Sequence, residues 1–160
     1  VQLGPGLNPE PFPIALRGIW HNERCPLAFN ELMTIVLSFA DIARYRSELA
    51  NYPDALVALD AIEDCEGDLE DAAIGLAIQA GQEPDTSERW LEGVAKRCRA
   101  FLCQADHRTA LEAGNLNQIM ESLTQSRLCP PILATPVIIF VLETGVETFC
   151  EPLNYKLSSE

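Results

Sequence analysis

The chain has 160 residues, 48% hydrophobic and 22% charged, which suits one ordinary domain with a buried core. Its 11 basic and 24 acidic residues leave a net charge of −13. That disfavours a nucleic-acid binder and a protein that docks on anionic lipid, because both need positive surface. No apolar run reaches the roughly 18 residues that would span a bilayer.

Residues 1–13 hold Pro5, Pro9, Pro11 and Pro13 and read as an extended proline-rich arm, since proline fixes φ and removes a donor. Its first residues, Val1-Gln2-Leu3-Gly4-Pro5, have neither the basic start nor the apolar run of a signal peptide. Residues 14–150 are expected to form a single helical domain and residues 151–160 a polar, frayed tail. Within the domain, the stretch from Pro26 to about Ala50 has helical periodicity, with Leu32, Ile35, Val36, Phe39, Ile42 and Ala43 at three- and four-residue steps. Asn51-Tyr52-Pro53 ends it. Asp54 is placed to cap a helix running to about Cys65, Glu66-Gly67 makes a tight turn, and Asp68 caps the next helix, which stops at Gly81.

Asp85 and Glu88 have the spacing of a capping box, and Leu91, Val94, Ala95, Cys98, Phe101 and Leu102 form one continuous stripe after it. A short helix follows from Asp106 to Ala113, ended by Gly114. Asn115 caps another that carries Leu116, Ile119, Met120 and Leu123. After Pro130-Pro131, Thr135-Pro136 reads as N-cap and first helical residue. The run Val137–Leu142 is β-branched and fits a strand on propensity, but no second strand is present to pair with it, so a buried helix is expected. The fold class is all-α, a compact bundle of six to eight helices.

Six cysteines, Cys25, Cys65, Cys98, Cys103, Cys129 and Cys150, occur without a Cys-x-x-Cys. A chain this apolar does not need staples, and four of the six lie in or beside apolar runs. Reduced, mostly buried thiols in a cytoplasmic protein are expected. Cys98, Cys103 and His107 are the nearest approach to a metal set, but Cys98 points away from the other two around a helix, and structural zinc wants four ligands. A Cys/His nucleophilic pair has no local signature. Setting Gly67 at the sixth position of a calcium loop places Ile62 and Ala73 at the two anchor positions, where carboxylates are required. The acidic stretch from Asp60 to Asp71 therefore reads as a solvated face, and neither a cofactor nor a metal is expected. Arg89, Lys96, Arg97, Arg99 and Arg108 concentrate the opposite charge. They are candidate binding residues for a small anion or acidic partner if they do not meet the acidic stretch.

Residues Ala61–Leu76, with Gly67-Asp68 between two apolar helical segments and alanines at 72 and 73, resemble the second and third helices of ubiquitin-associated-like domains, such as the N-terminal module of bacterial elongation factor Ts. The likeness spans residues 42–81 and implies a helical hairpin and binding to protein. Asn51-Tyr52-Pro53 stands where that family has its exposed binding loop, which makes Tyr52 a candidate contact, although the family's Met-Gly-Phe/Tyr is absent. The function expected is that of a non-enzymatic adaptor, regulator or assembly factor acting on another protein, one with a basic surface being the best match to the charge. The alternative is a small helical enzyme or ligand binder with an inter-helix pocket near Cys103 and His107. A homo-oligomer is a third reading.

Overall fold

A computed structural model describes residues 35–84 and 89–158. The described residues are all-helical: α1 Phe39–Glu48, α2 Pro53–Asp64, α3 Leu69–Gln79, α4 Trp90–Arg97, α5 Arg99–Leu102, α6 Ala105–Ala113, α7 Leu116–Ser126, α8 Pro131–Thr144 and α9 Val146–Ser158. That is nine helices among the described residues against six to eight expected. The proline-rich arm of residues 1–13 and the Asp85–Glu88 capping box lie outside the described residues.

The bundle is built around α8. Leu133, Ala134, Thr135, Pro136, Val137, Ile138, Ile139 and Val141 are all buried, so this helix has no solvent face, as a helix apolar all round requires. It packs against α2, α3, α4, α7 and α9. The β-branched run is helical because four neighbouring helices and α9 enclose it, and tertiary burial outweighs strand propensity. Its start corrects the expected one. The helix begins at Pro131, with the missing N–H of that residue costing nothing at a first position, and Pro136 lies inside the helix. At Gly145 the chain turns, and α9 leaves α8 at 87°. No single helix among the described residues is long and apolar enough to cross a membrane.

Helix α1 also starts later than its periodicity suggests. Ile35–Leu37 is extended: Leu37 N–H donates to Gly67 O at 2.9 Å and Leu69 N–H to Ile35 O at 3.0 Å, around an antiparallel bridge between Val36 and Asp68. Ser38 then caps the helix, its hydroxyl accepting from Asp41 N–H. Leu37 is buried while Val36 and Ser38 face outward, an alternation with the two-residue period of extended chain. Phe39, expected on an inward stripe, is the first residue of α1 and is exposed.

Helices α2 and α3 pack against each other across a short turn. Pro53 rather than Asp54 opens α2, with Tyr52 at the cap position. The turn places Glu66 at φ 56° and Gly67 at φ 92°, and Gly67 N–H closes back on Ile62 O at 2.8 Å. Asp68 caps α3 by accepting from Asp71 N–H at 2.9 Å, and Gly81 follows its end at φ 80°, both at the positions expected. Gly114 and the Asn115 cap likewise fall where the sequence puts them. The single stripe from Leu91 to Leu102 is divided at Cys98 into α4 and α5. At the C-terminus, helix α9 runs on to Ser158 with Pro152 inside it, so the expected frayed tail is helical from Glu151 to Ser158.

Candidate functional site

Of the basic residues singled out as binding candidates, Arg89, Lys96 and Arg108 are engaged within their own segments. On α4, Glu92 sits between Arg89 and Lys96, at 3.4 Å from the Arg89 guanidinium and 2.8 Å from Lys96 Nζ. Both cations hold the Glu92 carboxyl below the usual carboxylate range, the Lys96 hydrogen bond most strongly. On α6, Arg108 Nε donates to Glu112 at 3.2 Å. The guanidinium of Arg99 lies over the Phe149 ring, 4.8 Å from its centre, and so joins α5 to α9 by a cation–π contact. Arg97 is exposed. The Tyr52 hydroxyl donates to Asn117 O at 3.1 Å, which ties the start of α2 to α7.

The acidic stretch is a solvated face only in part, exposed at Asp60, Glu63 and Glu66 and turned inward at Asp71. It is met by an arginine that the sequence did not single out: Arg46 of α1 donates to Asp60 at 2.6 Å and to Glu63. Farther along, Glu70 turns inward and takes the start of α4. Leu91 N–H lies 3.0 and 3.1 Å from its two carboxylate oxygens. Helix N-termini leave such donors unpaired within the helix, and here a carboxylate from another helix satisfies one. Asp71 is buried beside it. Of this stretch, Asp68 and Glu70 serve as caps, whereas Asp60, Glu63 and Glu66 face solvent.

Burial outweighs the amide hydrogen bonds at Glu70 and raises its pKa from 4.5 to about 7. Burial raises that of Asp71 to about 6, with the Asp68 charge adding to it. A carboxyl that binds its proton more tightly folded than unfolded contributes stability present below about pH 4.5 and lost as pH rises through about 7. The denaturant midpoint is accordingly expected to fall between pH 5 and pH 8. Glu70→Gln, whose amide oxygen still accepts from Leu91, should remove about 1–2 kcal/mol of that slope once solvent screening is allowed for. A midpoint equally pH-dependent in the variant would assign the slope elsewhere.

The cysteines depart most from expectation. Cys103 at the end of α5 and Cys150 in α9 form a disulfide, with Cα atoms 5.7 Å apart, and Cys65 is disulfide-bonded as well. The expectation of reduced thiols throughout is thereby overturned for these three. Sequence spacing gave no sign of the pairing, because the partners are 47 residues apart and meet only through the turn at Gly145. With its sulfur in a disulfide, Cys103 supplies neither a nucleophile nor a metal ligand. His107 has Nδ1 2.7 Å from Phe101 O and its ring against Phe101, centroids 4.2 Å apart. Among the described residues no three His, Cys, Asp or Glu side chains come together as a metal set.

Comparison with protein-family models, curated proteins and solved structures finds no match to the chain.

What the geometry does present is an apolar pair on the α2–α3 hairpin. Val57, early in α2, is 44% exposed, and Ile78, late in α3, is 58% exposed. Val57 precedes the Gly67 turn by 10 residues and Ile78 follows it by 11. Asp54 and Asp60 flank Val57 in sequence and are exposed.

Proposed function

We propose that this protein acts non-enzymatically, as an adaptor, regulator or assembly factor, and that the α2–α3 hairpin contacts a partner protein with a basic surface. The observation that carries this reading is the exposed pair Val57 and Ile78 on an acidic hairpin. Exposed apolar side chains beside carboxylates suit an interface whose centre excludes water while its rim steers the partner in. The net charge of −13 supports a basic partner, and the resemblance of residues 42–81 to ubiquitin-associated-like domains points to protein binding by the same hairpin. The basic candidates on α4 to α6 are not part of this surface, since Arg89, Lys96 and Arg108 already have carboxylate partners.

The compartment that fits this reading is an oxidising one rather than the cytoplasm, because disulfides persist where thiols are not kept reduced. The experiment is affinity capture from extract with the wild-type chain, Val57→Ser/Ile78→Ser and Arg89→Ala as a control. A specific protein retained by the wild type and by Arg89→Ala, lost with the hairpin variant and weakened by raised salt, is the expected result. Retention that survives the hairpin substitutions, or no retained protein at all, would defeat it.

A further inference from the structure

Cys65 is disulfide-bonded, and the other cysteines identify its partner. The chain holds six: Cys25, Cys65, Cys98, Cys103, Cys129 and Cys150. Cys103 and Cys150 are bonded to each other, while Cys98 and Cys129 are free. Within this chain that leaves Cys25, which lies outside the described residues. Burial of Cys65, at 3% exposure, disfavours a bond to a second molecule. We propose that Cys25 and Cys65 form an intramolecular disulfide that fastens the extended run Ile35–Leu37 to the turn between α2 and α3. This goes beyond the partner-binding reading and does not depend on it.

The described residues place the two ends of this link together. Cys65 stands at the end of α2, and its carbonyl accepts from Asp68 N–H across the turn at 3.0 Å. Ile35–Leu37 docks on the same turn, bonded to Gly67 and Leu69, so the chain enters the described fold close to Cys65. Cys25 precedes Ile35 by 10 residues. A stretch of that length reaches at most about 35 Å, ample to return to a turn that Ile35 already touches. The extended run also has need of a tether. Two ladder hydrogen bonds are marginal on their own, and a covalent link just upstream removes many of the detached states that compete with docking. Closure belongs to the unfolded chain, where both sulfurs are accessible, by exchange with a low-molecular-weight disulfide such as oxidised glutathione. One cysteine thiolate attacks the reagent and releases one glutathione, and the second cysteine displaces the other. The two cysteines give up two electrons and two protons, and two glutathione molecules leave reduced.

The test folds the full chain in a mixture of reduced and oxidised glutathione, alkylates free thiols after denaturation, and maps the peptides of the monomer without reduction. The expected result is a peptide pair linked through Cys25 and Cys65, with Cys98 and Cys129 alkylated. An alkylated Cys25, or a Cys65 linked to glutathione or to any cysteine other than Cys25, overturns the proposal. Amide hydrogen exchange then reads the fastening itself. In Cys25→Ser the amides of Leu37 and Leu69, which make the two bonds between the run and the turn, should exchange severalfold faster than in the wild type. The amide of Ile139, in the buried helix α8, should keep its wild-type rate. Unchanged protection at Leu37 and Leu69 would mean that the bond does not hold the run in place, and would overturn that part of the proposal. The linkage is read on the wild-type protein, so it decides the pairing even if the serine variant folds poorly.

Discussion

Gly67→Ala is expected to lower stability by about 3 kcal/mol or more, enough to unfold a domain of ordinary stability. Two independent causes act at this position. Its φ of 92° lies where L side chains are strained, and a Cβ there would stand 2.2 Å from Leu37 O and 3.1 Å from Leu37 N. Those are backbone atoms of the extended segment, so no side-chain rotation relieves the contact. The segment must move off, losing the Leu37–Gly67 hydrogen bond and the bridge between Val36 and Asp68. Gly114→Ala separates the two causes. Gly114 has φ 76° but nothing within 4 Å of where a methyl would stand, so backbone strain acts alone and about 1 kcal/mol is expected. Urea unfolding of both variants checks this. Equal losses would mean that Ile35–Leu37 does not dock on the turn.

The same turn shows what is legible in the sequence and what is not. The Gly67 turn, the Asp68 and Asn115 caps and the glycines after α3 and α6 depend on residues close together in the chain, and local patterns reveal them. The extended run Ile35–Leu37 is missed because its apolar residues also satisfy a helical period, and what decides between the two is a pair of hydrogen bonds to residues about 30 positions away. The stripe from Leu91 to Leu102 is likewise continuous in sequence, and nothing in its spacing marks the break at Cys98. Glu70 is invisible as a cap for a similar reason: its donor belongs to Leu91, on a different helix. The hairpin surface is half legible. Charge marks the stretch from Asp60 to Asp71, but exposure of Val57 and Ile78 depends on which neighbours cover α2 and α3.

Replacing Cys103 and Cys150 together by alanine is expected to cost about 4 kcal/mol, the loop-closure contribution for a cross-link spanning 47 residues. The contribution arises mainly in the unfolded chain, where the bond keeps α5 and α9 from separating. In the folded protein, Arg99 over Phe149 holds the same two elements together, so the variant should keep α9 docked and lose stability without losing helicity. Reductant alone does not isolate the effect, since it opens the Cys65 disulfide too. The informative comparison is guanidinium unfolding of the wild type and the double variant, each with and without reductant. The wild type should start about 4 kcal/mol above the variant and fall farther on reduction, because it has one more bond to lose. If the two proteins unfold together in the absence of reductant, the cross-link does not constrain the unfolded chain. If the gap is as expected, reduction of this one bond would remove a large part of an ordinary domain's stability margin.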